Sequence, residues 1–260
     1  MKILVFTDSR GEHKKTFESQ NLFTEKLKIR YDARGHQVTL MLCPYSWTTT
    51  LDFIDCINSK IIDINQYDLV ILYTGIVDAS PRPLSNFNNV YDNKQDDIVT
   101  YSKLVSRDRS IKRIINNKKK FMDKFVPQEF LKRHLTKDYD INYSGEKTKS
   151  FVSLEIYEKV VLPFLKKYDS KIVFINSNRV VPGWEGNYLS VNKEGRPKNI
   201  SIIERYSELA KARLSNVVDL LKWTNDEVKK YTVDNMHLTF LGSEYIYSRL
   251  CEFIDKRIKQ

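Results

Sequence analysis

Three side chains of this sequence, Ser9, Asp234 and His237, could together carry out nucleophilic chemistry. A serine hydroxyl becomes a good nucleophile when an imidazole accepts its proton, and the imidazole works best when a carboxylate holds its other nitrogen. Asp234 precedes His237 by three residues, so this carboxylate can hold its own imidazole within one turn. Simpler roles stay open, because a serine after a strand often caps a helix and an Asp-x-x-His spacing is often accidental.

The elements that must position these side chains alternate along the chain. Short apolar runs predict buried parallel strands, amphipathic runs predict helices, and their alternation predicts a three-layer α/β/α domain. In such a sheet, functional groups gather where the carboxyl ends of the strands meet, and Ser9 follows the first strand. The predicted strands are 2–8, 37–43, 68–75, 171–178 and 216–221, and the predicted helices are 16–34, 49–60, 153–168, 201–214 and 239–258.

Almost a hundred residues separate the third and fourth predicted strands, far more than an ordinary crossover needs. We expect one domain over 1–260 with a basic helical insertion at 98–137. Residues 78–97 read as an irregular loop. The following apolar residues have helical spacing and predict an inserted amphipathic helix or helix pair: Ile111, Ile114, Ile115, Phe121, Met122 and Phe125.

The net charge of +10 is concentrated in the predicted insertion. Residues 102–137 hold 12 Lys and Arg but only 3 Asp and Glu. One interpretation is a solvated charged face, and the other is a lid or a docking surface for an anionic polymer, a phosphorylated acceptor, a membrane surface or a biosynthetic complex. Charge alone gives only non-specific affinity for nucleic acid, so we expect no specific nucleic-acid partner.

The three cysteines are odd in number and widely scattered, which predicts reduced, buried thiols and neither a disulfide framework nor a zinc site.

The sequence has no apolar run of about 18 residues, and its first strand is too short for a signal peptide. We therefore expect a cytoplasmic protein, with peripheral membrane contact as the alternative. The chemistry of a serine, a histidine and an aspartate needs no metal or organic cofactor.

Three blocks, "TDSRG" (7–11), "TGIVD" (74–78) and "DNMHLTFLGSEYI" (234–246), resemble in order and placement those of the SGNH (GDSL-type) hydrolase family. The resemblance covers residues 2 to about 258 apart from the insertion, and it implies a flavodoxin-like sheet. The family contains esterases, lipases, carbohydrate acetylesterases and some O-acetyltransferases. The resemblance implies that Ser9 is the nucleophile, His237 the general base and Asp234 the third member of a triad.

The resemblance breaks down at the groups that would stabilise an oxyanion. The family's third block is Gly-x-Asn-Asp, whereas Gly75 and Asp78 here enclose Val77, which cannot donate a hydrogen bond. The glycine of the second block has no counterpart in 43–53, where a backbone N–H of Ser46, Trp47 or a neighbour could serve. Losing one such donor typically costs about 2.7–4 kcal/mol.

Arg82 is one candidate replacement, because a guanidinium held in place by Asp78 could stabilise developing negative charge. The alternative is that Arg82 pairs with a surface carboxylate or fixes its proline-flanked loop. Asn176 and Asn178, after the fourth strand, are rival donors or substrate-binding groups, or else turn formers.

Residues 180–197 carry Trp184 and Tyr188 among polar residues, which suits a sugar ring or, alternatively, a pair of aromatic anchors for a long loop. We therefore expect a serine-dependent hydrolase or O-acyltransferase that acts on an ester of a carbohydrate, with acetyl as the expected acyl group and a neutral or anionic carbohydrate as the substrate. The run "GIVDASPRP" (75–83) is similar to members encoded with surface-polysaccharide biosynthesis enzymes. The alternative is an impaired domain that binds a polysaccharide or its biosynthetic machinery.

Overall fold

The computed structural model describes residues 1–11, 21–45, 47–91, 98–99, 113–114, 118–190 and 192–259. Its strands are β1 (Lys2–Thr7), β2 (Gln37–Leu42), β3 (Leu69–Tyr73), β4 (Arg82–Pro83), β5 (Ile98–Val99), β6 (Arg113–Ile114), β7 (Ile141–Tyr143), β8 (Glu146–Lys149), β9 (Ile172–Ile175) and β10 (Val217–Val218). Its helices are α1 (Phe23–Asp32), α2 (Thr50–Asn58), α3 (Ile76–Ala79), α4 (Leu84–Tyr91), α5 (Lys118–Phe125), α6 (Gln128–Thr136), α7 (Leu154–Ile156), α8 (Leu162–Lys166), α9 (Ile202–Arg213), α10 (Asn225–Tyr231) and α11 (Phe240–Ile258). A π-helical turn, Tyr157–Val161, joins α7 to α8.

The central sheet contains five parallel strands in the order β10-β9-β3-β1-β2. Counted along the chain, these strands follow the 2-1-3-4-5 order of flavodoxin-like folds, so the predicted fold class is confirmed. Thr7 lies opposite both Leu42 and Tyr73, and the three strands therefore end level with one another. The residues that follow them share one edge of the sheet.

Alternate residues of β1 enter two hydrophobic cores, one on each face of the sheet. Leu4 and Phe6 join the core that contains the apolar residues of α2 and α9, whereas Ile3 and Val5 join the core of α1 and α11. A strand that is covered on both faces needs apolar side chains at every position. This requirement explains why the central strands could be predicted from short apolar runs.

The prediction of an irregular loop over 78–97 is wrong for the part that the structure describes. Helix α3 begins after Gly75, whose φ of 105° is readily adopted only by glycine, and β4 and α4 follow. Phe87 and Tyr91 are both buried and stack with their ring centroids 5.3 Å apart. This apolar stripe stabilises α4 despite an asparagine-rich sequence that is typical of turns.

The predicted helix pair is present as α5 and α6, where Met122 and Leu131 are buried. The predicted helical stripe is wrong at Ile114, which lies in β6 and pairs with Ile98 of β5. Residues 102–112 and 115–117 of the strongly basic segment lie outside the described residues. The insertion boundaries at 98–137 and its role as a docking surface remain predictions.

The three cysteines, Cys43, Cys56 and Cys251, are buried, as predicted. Burial raises the pKa of the Cys56 thiol to about 12.

No helix in the described part of the chain combines the length and the apolar composition needed to cross a membrane.

Candidate functional site

Ser9 begins a short 3-10 turn, Ser9–Gly11, immediately after β1. Its side chain is partly exposed, whereas the flanking Asp8 and Arg10 are buried. These neighbours form an ion pair in which Arg10 Nη2 lies 2.8 Å from Asp8 Oδ2 and Arg10 Nε donates to Asp8 Oδ1 at 3.0 Å. The buried pair fixes the backbone on both sides of Ser9 and leaves its hydroxyl at the surface.

The Arg10 guanidinium also ties together the ends of three strands. It donates to the Thr74 carbonyl after β3 and to Ser177 Oγ after β9, each at 3.0 Å, and it stacks 3.9 Å from the centroid of the Tyr73 ring. Burial opposes the charged form of Arg10, but the charge and hydrogen bond of Asp8, together with the nearby Tyr73 and Asp78, outweigh this effect and raise the pKa of Arg10. The position of Ser9 is thus coupled to β3 and β9.

Asp234 and His237 lie on a tight turn before α11. His237 Nδ1 is 2.8 Å from Asp234 Oδ2, and the backbone N–H groups of Met236 and His237 donate to Asp234 Oδ1 at 3.1 and 2.7 Å. His237 Nε2 lies 3.5 Å from Ser9 Oγ, across a sequence separation of 228 residues. A contact of this length is at the long end of the hydrogen-bond range and is common for such pairs without substrate.

Two asparagines hold this turn. Asn235, whose φ of 68° lies in the left-handed region, accepts a hydrogen bond from Val181 N–H at 2.8 Å and donates to the Trp184 carbonyl. Asn178 donates to the Asn235 carbonyl at 2.9 Å. Asn178, a candidate donor in the sequence, is therefore engaged in holding the Asp234–His237 turn.

Arg196 also contacts the Asp234 carboxylate. Its Nη2 lies 3.0 Å from Asp234 Oδ2 and donates to the Asp234 carbonyl at 2.8 Å, while its guanidinium stacks 3.9 Å from the Tyr188 ring centroid. Burial raises the pKa of Asp234, but the hydrogen bonds and charge of His237, together with the Arg196 cation, lower it to about 2. The sequence held no motif that could have identified Arg196, because its loop acquires its path only in the folded chain.

A cleft of about 630 Å³ opens over Ser9 and His237. Val77 lies in its wall, where the family resemblance predicted an amide donor. The wall combines aromatic, polar and cationic side chains. Its described lining residues are Ser9, Arg10, Cys43, Trp47, Thr48, Ile76, Val77, Ser80, Pro81, Arg82, Pro83, Asn86, Tyr143, Tyr188, Asn192, Arg196, Pro197, Ile200, Met236 and His237.

Two further sequence candidates lie beneath the cleft. The Asp78 carboxylate is fully buried and accepts hydrogen bonds from Thr50 N–H at 2.9 and 3.1 Å, so it holds the start of α2 and does not hold Arg82. Burial raises the pKa of Asp78 to about 7, against the lowering effect of the Thr50 hydrogen bond. Gly75 provides the left-handed residue that begins α3.

Asn176 and Trp184 also have structural contacts. Asn176 donates to Asp219 Oδ1 at 2.9 Å and accepts from Leu220 N–H at 2.7 Å, which joins the end of β9 to the segment after β10. Trp184 packs against the core of α1 and α11, whereas Tyr188 lines the cleft. Ser46 lies outside the described residues.

Arg82 does reach the cleft. Its guanidinium stacks 3.9 Å from the centroid of the Trp47 ring and 5.3 Å from that of Phe151. Arg82 Nε is buried and has no hydrogen-bond acceptor among the described residues. The sequence indicated Trp47 only as a backbone donor and gave no signal for Asn86, whose side chain also lines the cleft. No group of three His, Cys, Asp or Glu side chains in the described segments is placed to hold a metal ion.

No family model and no curated protein matches the sequence. Solved structures do match. A lipase/acylhydrolase from Enterococcus faecalis matches with a TM-score of 0.52 and 15% identity, over 98% of this chain and 96% of that chain. The acetyl xylan esterase AlAXEase matches with a TM-score of 0.47 and 12% identity, over 98% and 100% of the two chains. Est24, a carbohydrate acetylesterase from Sinorhizobium meliloti, matches with a TM-score of 0.43 and 12% identity, over 98% of each chain.

The lipase/acylhydrolase shares its fold with this chain over nearly the whole length of both. The chain has the α/β/α fold of SGNH-type hydrolases, as the resemblance of its sequence blocks predicted. The link to surface-polysaccharide biosynthesis remains a prediction.

Proposed function

We propose that this protein is a serine-dependent acyl-ester hydrolase in which Ser9 is the nucleophile, His237 the general base and Asp234 the residue that orients the base. The observation that carries the proposal is the continuous contact from Ser9 Oγ to His237 Nε2 and from His237 Nδ1 to Asp234 Oδ2 at the floor of one cleft. A lipase/acylhydrolase of the same fold supports the reaction class.

The geometry supports a two-step reaction. Ser9 Oγ attacks the ester carbonyl carbon while His237 Nε2 takes the hydroxyl proton, and the imidazolium then gives that proton to the departing alcohol as the ester C–O bond breaks. Water attacks the resulting acyl-serine with His237 again as the base, which releases the carboxylic acid and restores Ser9. Throughout, the ionised Asp234 holds the N–H of Nδ1 and stabilises the imidazolium.

The backbone N–H of Ser9 is our candidate for the oxyanion donor. In the same turn, Arg10 N–H donates to Asp8 Oδ1 at 3.0 Å and Gly11 N–H donates to the Asp8 carbonyl at 3.2 Å. The Ser9 N–H has no such partner among the described residues. A backbone donor next to the nucleophile can stabilise the tetrahedral intermediate without the side-chain amide that Val77 replaces.

A carbohydrate ester is the substrate class that the cleft fits best. Trp47, Tyr143 and Tyr188 present aromatic surface, while Asn86 and Asn192 present amides along the same wall. A sugar ring has both C–H faces and hydroxyl edges, and sites that bind it need apolar walls with a few polar groups. We therefore propose that an acetyl group is removed from a carbohydrate hydroxyl.

Replacing Ser9 tests this function. We expect Ser9→Ala to lower kcat on 4-nitrophenyl acetate and on an O-acetylated sugar by at least about a thousandfold, because the nucleophile is lost. Ser201→Ala, at an exposed serine that caps α9 without a side-chain hydrogen bond, is the matched control and should retain activity. Equal slow rates from the wild type and Ser9→Ala would contradict the proposal and favour a binding domain.

A further inference from the structure

The cleft carries more cationic than anionic groups. Its described lining residues include Arg10, Arg82 and Arg196 but no Asp or Glu. Arg10 is neutralised by Asp8, and Arg196 is neutralised by Asp234. Arg82 has no carboxylate partner among the described residues and is therefore the cation of this wall whose charge is left uncompensated.

The surroundings of Arg82 hold the guanidinium in a defined position. Its face lies against Trp47 and Phe151, and its backbone is part of β4, where Arg82 pairs with Lys149 of β8 and is flanked by two prolines. A planar guanidinium that is stacked in this way loses little further freedom when its edge binds a ligand.

The energetics of Arg82 also favour an anionic ligand. Burial lowers the pKa of Arg82 to about 10, and the cation of Arg196 acts in the same direction, yet the side chain stays protonated near neutral pH. A partly desolvated cation without a counterion is costly, and an anion that enters the cleft would compensate it.

We propose that Arg82 binds a carboxylate of the substrate, so that the hydrolysed ester belongs to an acidic sugar unit. This inference rests on the proposed function and deepens it. The two terminal Nη groups of the guanidinium match the two oxygens of a carboxylate in a planar, bidentate pair. Trp47 and Tyr188, on the same wall, then contact the sugar ring.

A matched pair of substrates tests the role of Arg82. Methyl 2-O-acetylglucuronoside and methyl 2-O-acetylglucoside differ only at C6, which is a carboxylate in the first and a hydroxymethyl group in the second. We expect wild-type kcat/KM to favour the glucuronoside, and Arg82→Gln to lower this preference by about tenfold or more, the loss typical of a charge-assisted contact. Arg82→Lys keeps the charge without the planar fork and should recover part of the preference.

Arg205→Gln is the matched control, because it removes one exposed arginine charge on α9 and should leave the preference unchanged. Two results would overturn the inference: no wild-type preference for the glucuronoside, or an equal loss on both esters in Arg82→Gln, which would instead support Arg82 as an oxyanion donor.

Binding measurements separate this inference from the proposed function. If neither ester is hydrolysed, the esterase proposal fails, but calorimetry with the unacetylated methyl glucuronoside and methyl glucoside still tests Arg82. Tighter binding of the glucuronoside that is lost in Arg82→Gln upholds the carboxylate site. Equal binding of the two sugars overturns it.

Discussion

One oxygen of Asp234 has two partners. His237 Nδ1 lies 2.8 Å from Oδ2, and Arg196 Nη2 lies 3.0 Å from the same atom. The carboxylate therefore shares its negative charge between the imidazole and a permanent cation. Because opposite charges at this distance stabilise each other strongly in a buried site, Arg196 should moderate how well Asp234 stabilises the imidazolium.

We predict that Arg196→Gln moves the acidic limb of the kcat/KM profile of ester hydrolysis to higher pH. Without the cation, the Asp234 carboxylate stabilises positive charge in the site more strongly, so the acidic side of the activity profile lies at higher pH. The measurement is the full pH profile of the variant beside those of the wild type and Arg205→Gln. If kcat falls while the acidic limb of the kcat/KM profile stays at the same pH, Arg196 only supports the loop that carries it.

Asparagine side chains join the segments that bring Asp234 and His237 to Ser9. The turn before α11 contacts the segment after β9 through Asn178 and Asn235, while Asn176 joins β9 to the segment after β10. Asn176 and Asn178 are equally buried and only two residues apart, but they hold different parts of the chain. This pair allows a positioning role to be separated from a general contribution to stability.

We predict that Asn178→Ala lowers the kcat of ester hydrolysis at least tenfold, with KM changing less, because the turn loses a buried hydrogen bond and His237 moves relative to Ser9. Asn178→Ala and the control Asn176→Ala should each lower the free energy of unfolding by about 1–3 kcal/mol. The control should keep the kcat of the folded enzyme. A rise in KM alone for Asn178→Ala would instead support the sequence-based expectation that Asn178 binds substrate.

For the whole molecule, two buried groups make opposite contributions to the pH dependence of stability. Burial raises the pKa of Asp78 from 3.8 to about 7, so its contribution is present below pH 3.8 and is lost as the pH rises to about 7. Burial, together with the nearby Lys149 cation, lowers the pKa of His134 from 6.5 to about 4. The contribution of His134 is therefore present above pH 6.5 and is lost as the pH falls to about 4.

The two effects oppose each other between about pH 4 and pH 7, and we predict that single variants will separate them. The stability of Asp78→Asn should rise with pH across this window and that of His134→Gln should fall, each by the order of 2–4 kcal/mol, since one pKa unit corresponds to about 1.4 kcal/mol. The wild type should vary less than either variant. Urea unfolding at about pH 4.5, 6 and 7.5 measures these slopes, and a common slope for all three proteins would contradict the assignment.

The central sheet and the local pieces of the site follow from the amino-acid sequence alone. A strand that is buried on both faces must be apolar throughout, so β1, β3 and β9 were visible as short uninterrupted runs. Ser9 follows such a run directly. The contact between Asp234 and His237 spans three residues and needs only one turn.

The contacts that hold these pieces, and the other residues that line the cleft, depend on how the whole chain folds. Arg196 reaches Asp234 across 38 residues and Asn178 reaches Asn235 across 57, so each contact depends on the path of a loop that has no periodic pattern. The expectation from the sequence that Asp78 holds Arg82 is wrong for the same reason. In the folded chain, Asp78 binds Thr50 beneath the cleft, while Arg82 stacks on Trp47 without a carboxylate partner among the described residues.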